Sequence, residues 1–112
     1  MKDRIYIERI KKYAFKIFKY LEGIDKIEDF ETNDEKVDAV IFNLEQIGET
    51  AKKITDQTKN MYKSIHWVSI IGLRNIISHD YEGVRLSIIY EIAKYSITML
   101  LEQLSMDIDE HK

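Results

Sequence analysis

The sequence contains no cysteine and no proline, and only four of its 112 residues are glycines. The absence of cysteine excludes disulfide bonds, thiolate metal sites and cysteine nucleophiles. Because proline and glycine commonly mark the turns between strands, their scarcity argues against a many-stranded sheet and favours long helices with short loops. A chain of this length can bury one hydrophobic core, so we expect a single domain over residues 1–112.

Long apolar runs are missing as well. No apolar segment reaches the length that a bilayer-spanning helix requires, and the N-terminal residues lack the apolar stretch of a signal peptide. These absences predict a cytoplasmic protein that does not associate with membranes. The net charge of −3 argues against a uniformly basic surface for nucleic acids, although it permits a local basic groove.

Charge is unevenly distributed along the chain. The first part of the sequence carries a cluster of lysines, namely Lys11, Lys12, Lys16 and Lys19. Eight acidic residues follow between positions 22 and 38. Because runs of charge usually serve solubility, we interpret both clusters as solvated surfaces.

Apolar residues recur at steps of three and four in four segments, which is typical of amphipathic helices. We predict helices over about residues 3–22, 32–54, 64–79 and 84–106, with a short helical turn within 24–30. The four apolar stripes are Ile10, Tyr13, Ala14, Ile17 and Leu21; Val40, Leu44, Ile47, Ala51 and Ile54; Ile70, Leu73 and Ile77; and Leu86, Ile89, Ala93, Ile97, Leu100 and Leu104. Four long helices with short connections predict an all-α antiparallel bundle.

Local signals indicate where these helices begin and end. Gly23 stands where a helix C-cap favours glycine, and Ser64 is a suitable N-cap for the third helix. Thr32 and Glu35 have the spacing of a capping box at the start of the second helix. Gly48 lies inside that helix, where it costs about 1 kcal/mol relative to alanine. A close approach of another backbone would explain it.

A polar cluster ends the otherwise apolar third helix. Its members are Arg74, Asn75, Ser78, His79, Asp80 and Tyr81. Arg74 and Ser78 share one helix face, and Asn75 and His79 share the adjacent face, since each pair is four residues apart. Buried polar groups must be hydrogen-bonded, so a cluster of this kind requires an explanation.

The residue types in this cluster are suited to RNA chemistry. Arg74 offers a planar, permanently cationic fork for phosphate oxygens, and a histidine such as His79 ordinarily titrates near pH 6.5. The ribose 2′-hydroxyl is an internal nucleophile, so a base beside it and a cation on the phosphate suffice for transesterification without a metal. The simpler interpretation is that both side chains cap the helix and complement its dipole.

The spacing from Arg74 to His79 resembles the R-x(4–6)-H motif of HEPN domains. Its context, with Trp67, residues 72–75 and residues 79–81, resembles the R-x4-H-x-Y pattern of the HepT subfamily. Residues 43–51 are similar to the second long helix of that subfamily, although Thr50 stands where alanine is usual. The resemblance extends over nearly the whole chain.

This resemblance implies a helical bundle that forms a homodimer and acts on RNA as a metal-independent endoribonuclease, with no cofactor and with 2′,3′-cyclic phosphate products. It also implies a toxin of a type II or type VII-like toxin–antitoxin system, whose antitoxin is a minimal nucleotidyltransferase. Tyr81 would be the residue that this partner nucleotidylates, for example by AMPylation. An anionic nucleotide there would occupy the charge of Arg74.

The resemblance also assigns roles to the other residues of the motif. Arg74 would bind phosphate, and His79 would be the acid–base group. Asn75 would position the backbone or orient a side chain, with Ser78 in support. Asp80 would either orient His79 or repel RNA, and the sequence leaves both roles open.

Glu45 and Glu49 lie four residues apart on one face of the second helix. A carboxylate pair can bind metal in a helical bundle, but no Glu-x-x-His partner follows on any helix. We interpret the pair as surface or capping carboxylates, with steering of Arg74 as the next alternative. The sequence therefore predicts no metal site.

Several other side chains are expected at the surface. His66 and His111 belong to no recognisable motif in the sequence, and we expect both to be surface residues. Three aromatic residues fall outside the apolar stripes, on the outer faces of their helices, namely Phe42, Tyr90 and Tyr95. They could form the contact of a two-fold symmetric dimer.

Two other functions remain open from the sequence. The same helical dimer could be a non-catalytic docking and substrate subunit for the nucleotidyltransferase. The chain could also be an unrelated structural bundle in which the motif is accidental.

Overall fold

A computed structural model describes residues 2–75 and 86–106. Within these ranges every regular element is helical, which confirms the predicted all-α class. The elements are α1 (Arg4–Leu21), α2 (Ile27–Glu31), α3 (Asp34–Ala51), α4 (Asp56–Met61), α5 (Trp67–Ile71), α6 (Leu86–Glu91), a π-helical turn (Ile92–Ser96) and α7 (Ile97–Ser105). In the described part of the chain, no helix is long and apolar enough to cross a membrane.

The two 18-residue helices α1 and α3 pack against each other in antiparallel orientation. At one end, the carboxylate of Asp3 accepts hydrogen bonds from the backbone N–H and the hydroxyl of Thr55, at 2.8 and 2.7 Å. At the other end, Nζ of Lys36 donates to the carbonyl oxygen of Glu22 at 3.0 Å. The start of α1 therefore lies beside the residues that follow α3, and its end lies beside the start of α3.

The elements α6, the π-helical turn and α7 form one continuous helix over residues 86–105, which packs on α1. It begins beside α2, where the ring centroids of Phe30 and Tyr90 are 5.5 Å apart. Near its end, the side-chain amide of Gln103 donates to the carbonyl oxygen of Ser64 at 2.8 Å. The core between these helices contains most of the predicted stripes, with Ile10, Ala14, Ile17, Val40, Leu44, Ile47, Ala51, Ile54, Ile70, Leu73, Ile89, Ala93, Ile97, Leu100 and Leu104 buried.

The spacing of the core residues accounts for the π-helical turn. Ile89, Ala93 and Ile97 are all fully buried, and each is four residues from the next. An α-helix repeats every 3.6 residues, so steps of four rotate successive side chains away from a fixed core. The wider π turn, with its i→i+5 hydrogen bonds, compensates for this rotation and keeps all three residues on the buried side.

The predicted cap at Gly23 is confirmed, and the predicted capping box is wrong. Gly23 has a positive φ of 82°, a conformation that glycine adopts without a steric penalty. The side chain of Asn33, rather than Thr32, accepts from the backbone N–H of Lys36 and caps α3. The hydroxyl of Thr32 instead donates to the carbonyl oxygen of Glu28, because Thr32 ends α2 before α3 begins.

Within the described residues, the third predicted helix begins later than its periodicity indicates and is interrupted. A separate helix, α4, precedes it, and α5 begins after His66 rather than after Ser64. A turn at Gly72 interrupts the helix before residues 73–75, which are helical again. The buried residues Trp67, Ile70 and Leu73 remain three apart across this turn. The apolar pattern alone therefore did not reveal the break, and in the described part of the chain this element is not a long helix.

The buried carboxylate of Asp3 makes stability depend on pH. Its two hydrogen bonds from Thr55, the backbone one above all, lower the pKa of Asp3 below the ordinary value of 3.8. The stabilisation is therefore present above pH 3.8 and is lost as the pH falls through the lowered pKa.

We expect Asp3→Asn to lower the urea midpoint at neutral pH, because a neutral amide is a weaker acceptor than a carboxylate. The difference from the wild type should shrink as the pH falls below 3.8. Urea titrations of both proteins across this pH range test the prediction, and a difference that stays constant with pH would contradict it.

Candidate active site

Arg74 lies at the end of a well-anchored segment. The indole N–H of Trp67 donates to the carbonyl oxygen of Lys59 at 3.3 Å, and the Trp67 ring packs edge-on against Tyr62. Ile70 and Leu73 are buried in the core. Arg74 follows this anchor directly, with 48% of its side chain exposed, so its backbone is held while its guanidinium group faces solvent.

The backbone at Arg74 packs directly on α3 at Gly48. A Cβ atom on Gly48 would lie 3.2 Å from the backbone nitrogen of Arg74. It would also lie 3.3 and 3.4 Å from the carbonyl oxygens of Ile70 and Ile71. All three neighbours are backbone atoms, which cannot move aside as a flexible side chain can. The close backbone approach predicted for Gly48 is therefore confirmed, and it is the approach that positions Arg74.

The residue after Gly48 supplies a partner for Arg74. The carboxylate of Glu49 forms an ion pair with Nε of Arg74. The Glu49 side chain is 38% exposed, and ion pairs at this exposure contribute only about 0–1 kcal/mol to stability. The effect of this pair is therefore on the orientation of the guanidinium group more than on the stability of the fold.

Of the two predicted carboxylates, only Glu49 contacts Arg74 in the described structure. Glu45 lies one helical turn earlier and lines a shallow surface with Asp38, Ile41 and Phe42. Among the described residues, no three His, Asp or Glu side chains lie together as metal ligands would. The geometry agrees with the alternative in which Glu49 steers Arg74.

The other predicted site residues are distributed as follows. Asn75 is exposed immediately after Arg74. Ser78, His79, Asp80 and Tyr81 lie outside the described residues, and their assignments stay predictions from the sequence.

The histidines and outer aromatic residues are partly as expected. His66 is exposed, and its Nδ1 lies 2.5 Å from the hydroxyl oxygen of Ser69; His111 lies outside the described residues. Phe42 and Tyr95 are exposed. Tyr90 is buried against Phe30, so the expectation that it lies on an outer face is wrong.

An apolar groove beside the Arg74 segment was not predicted. It has a volume of about 320 Å³ and lies between α5 and the continuous helix, where Val68, Ile92 and Ser96 line it. A second groove with shared walls continues to Tyr95 and Met99. Val68 is 77% exposed. Its isolated position on a short helix gives no periodic signal from which this exposure could be read.

Comparison with known proteins identifies relatives along most of the chain. A family model described as "Ribonuclease HepT-like" matches residues 6–106. "Putative RNase MJ0125" of Methanocaldococcus jannaschii is 32% identical over 110 residues, which cover 90% of this chain and 95% of the relative. "Putative RNase TTE0752" of Caldanaerobacter subterraneus is 28% identical over 109 residues, which cover 97% of this chain and 96% of the relative.

A shorter match is with "Probable ribonuclease HepT" of Thermococcus cleftensis. The two proteins are 33% identical over 73 residues, which cover 65% of this chain and 66% of the relative. No solved structure matches the chain. The sequence relatives, and not a structural neighbour, therefore carry the assignment of the family.

Proposed function

Because the chain belongs to the HepT-like ribonuclease family, we propose that it is a metal-independent endoribonuclease whose Arg74 and His79 carry the reaction. The observation that supports this most directly is the setting of Arg74. Its backbone packs on Gly48, its guanidinium group is half exposed, and Glu49 holds it from one side. A fixed cation of this kind stabilises the charge that develops on a reacting phosphate.

In the proposed reaction, His79 removes the proton of the ribose 2′-hydroxyl, and the 2′-oxygen attacks the adjacent phosphorus. A bond forms between the 2′-oxygen and phosphorus, and the bond from phosphorus to the 5′-oxygen of the next nucleotide breaks. That leaving oxygen takes up a proton from water, and His79 releases to water the proton that it removed, so the products carry 2′,3′-cyclic phosphate and 5′-hydroxyl ends and the enzyme is restored. Arg74 donates to the phosphate oxygens throughout, while Asn75 and Ser78 support the local geometry.

The contact with Glu49 has a defined place in this scheme. Without RNA, the carboxylate of Glu49 occupies one side of the guanidinium group. No other ion pair of Arg74 is found among residues 2–75 and 86–106, and in our proposal its remaining N–H groups donate to a phosphate. Glu49 is thus a positioning residue, and it reduces the number of orientations that Arg74 can adopt before RNA binds. Glu45 does not share this role.

The proposal is tested with the chain expressed alone and assayed on end-labelled RNA in EDTA. We expect cleavage with 2′,3′-cyclic phosphate ends, and no cleavage by His79→Ala prepared in parallel, which controls for contaminating nucleases. Intact mass must be measured on the same sample, because a nucleotide on Tyr81 would block the site.

Each other outcome of that assay has a definite meaning. Cleavage that requires added divalent metal would overturn the metal independence. An unmodified protein that cleaves none of several RNAs would instead be a docking and substrate subunit for the nucleotidyltransferase. Cleavage by His79→Ala equal to that by the wild type would remove His79 from the active site.

The biological role that we propose is the toxin of a toxin–antitoxin pair. A minimal nucleotidyltransferase antitoxin would transfer a nucleotide to Tyr81, seven residues after Arg74. The added phosphate would pair with the guanidinium group and exclude RNA phosphate from it. Asp80, next to the acceptor, would either orient His79 or repel RNA.

A homodimer is part of the same proposal. The apolar groove between α5 and the continuous helix, with exposed Val68, Tyr95 and Met99 on its walls, is the surface that best suits contact with a second copy. Exposed apolar surface of this kind commonly marks an interface. A contact there would bring the segments that carry Arg74 in the two copies toward each other.

A further inference from the structure

The solvent-facing side of α1 is basic. The helix buries Ile7, Ile10, Ala14 and Ile17 in the core. Its opposite side forms one shallow depression of about 440 Å³, lined by Glu8, Lys11, Lys12, Phe15, Lys16 and Lys19. We call this set of six side chains the lysine face.

The charge of the lysine face is opposite to that of the chain as a whole. It carries four lysines and one glutamate, whereas the chain has a net charge of −3. Glu8 pairs with Lys11 at 3.7 Å. No ion pair within the described ranges involves Lys12, Lys16 or Lys19. The positive charge of these three lysines is therefore available to an anion.

Solvation accounts for the lysines but not for the aromatic residue among them. Phe15 is 58% exposed at the centre of the lysine face. Its ring packs edge-on against Phe18, with centroids 6.3 Å apart. An exposed aromatic ring among cations is the arrangement that single-stranded nucleic acids bind, since bases stack on the ring and phosphates contact the lysines.

We propose that the lysine face is a binding site for single-stranded RNA, distinct from the site at Arg74. This inference rests on the proposed function, because it takes RNA as the substrate. One base would stack on Phe15, while Lys12, Lys16 and Lys19 contact successive phosphates. These three lysines span about 10 Å along the helix axis, at 1.5 Å per residue.

The position of the lysine face defines the kind of RNA that would use it. The Asp3–Thr55 contact places the start of α1 at the end of α3 where Glu49 pairs with Arg74. Lys19 lies toward the opposite end of α1. We therefore expect the RNA that contacts both Arg74 and Lys19 to be an extended strand and not a dinucleotide.

A second copy of the chain is a poor occupant of this surface. A two-fold contact would place the same residues of both copies against each other, and two sets of four lysines would repel. An acidic protein would satisfy the lysines, but it would give no reason for an exposed phenylalanine at their centre. RNA accounts for both features.

The test uses a 20-nucleotide 2′-O-methyl RNA, which lacks the nucleophile and remains intact whether or not the protein is a ribonuclease. Two triple variants are compared by fluorescence anisotropy. The lysine-face triple variant carries Lys12→Glu, Lys16→Glu and Lys19→Glu. The control triple variant carries Lys2→Glu, Lys26→Glu and Lys63→Glu. The control changes the net charge equally at exposed lysines outside the lysine face.

We expect the lysine-face triple variant to bind at least tenfold more weakly than the control triple variant. The slope of log affinity against log salt should fall by about 2, from three lost phosphate contacts at about 0.7 each.

Phe15→Ala should weaken binding roughly tenfold, and Phe15→Trp should retain it, because stacking needs only an aromatic face. Circular dichroism verifies that each variant is folded.

Equal weakening by the two triple variants would overturn the proposal, since it would show a response to net charge alone. Unchanged RNA binding by the lysine-face triple variant would also overturn it, because the lysines would then not contact RNA. If the lysine face binds RNA as expected but the wild type cleaves none, the proposed ribonuclease function fails while this site stands.

Discussion

Replacement of Arg74 by alanine is expected to lower the rate of RNA cleavage by about a hundred- to a thousandfold, the usual effect of removing one positioned donor from a reacting oxyanion. The fold should be nearly unaffected. The side chain is half exposed, and its ion pair with Glu49 is of the class that contributes about 0–1 kcal/mol. The measurement is the single-turnover cleavage rate together with the urea midpoint of the same preparation.

Two variants separate the phosphate contact of Arg74 from its contact with Glu49. Glu49→Gln removes the ion pair but keeps the guanidinium group, so we expect a loss of less than about tenfold, from poorer positioning. Arg74→Lys keeps the charge but lacks the planar fork, and it should be intermediate between the wild type and Arg74→Ala.

The contrary results are equally specific. If Glu49→Gln is as inactive as Arg74→Ala, the importance of Arg74 lies in the ion pair and not in binding phosphate. If Arg74→Ala cleaves at the wild-type rate, the active site has been assigned to the wrong residues.

Gly48→Val is expected to reduce cleavage by about a hundredfold, although Gly48 has no atom that could touch RNA. Even a Cβ would lie 3.2 Å from the backbone nitrogen of Arg74, and the two further methyl groups of valine need space that backbone atoms occupy. The segment of residues 70–74 must then move away from α3 and carry the guanidinium group with it. A displacement of about 1 Å at a reacting centre can cost a hundredfold in rate.

The stability of this variant should fall by about 1–3 kcal/mol, the range for overpacked sites. Cleavage is therefore measured at a temperature where circular dichroism shows the variant fully folded. Gly48→Ala is the matched control. Its Cβ requires the backbone of residues 70–74 to shift by only a few tenths of an ångström, and the gain of about 1 kcal/mol in helix propensity partly offsets the crowding. We therefore expect a much smaller loss of cleavage than in Gly48→Val. A folded Gly48→Val protein with wild-type cleavage would show that this contact does not position Arg74.

Much of the helical framework can be read from short-range patterns. The stripe through Ile10, Ala14 and Ile17 and the stripe through Val40, Leu44 and Ile47 are buried as their spacing predicts, because periodicity reports which side of a helix avoids water. The anomaly of a glycine inside α3 also predicted a close contact there. The stripes depend on neighbours within two helical turns, and a glycine inside a helix is itself visible in a short segment, although its contact is with residues 70–74.

Other features depend on neighbours that are distant in sequence. Tyr90 and Phe42 look alike as leftover aromatics, yet Tyr90 is buried against Phe30 and Phe42 is exposed. The break at Gly72 left the spacing of buried residues intact and so produced no signal. The π-helical turn likewise keeps residues spaced by four on one buried side of the continuous helix, and the packing on α1 determines which side that is.

The all-α class, the buried stripes and the candidate motif residues from Arg74 to Tyr81 are readable without a structure, because residue types and helical periodicity are properties of short segments. The contact of Arg74 with Glu49, and not with Glu45, is seen only in the folded chain. The exposure of Phe15 among the lysines of α1 is seen only there as well. An ion pair between two elements, and the exposure of a residue, depend on how the helices pack against one another, and no short segment encodes that packing.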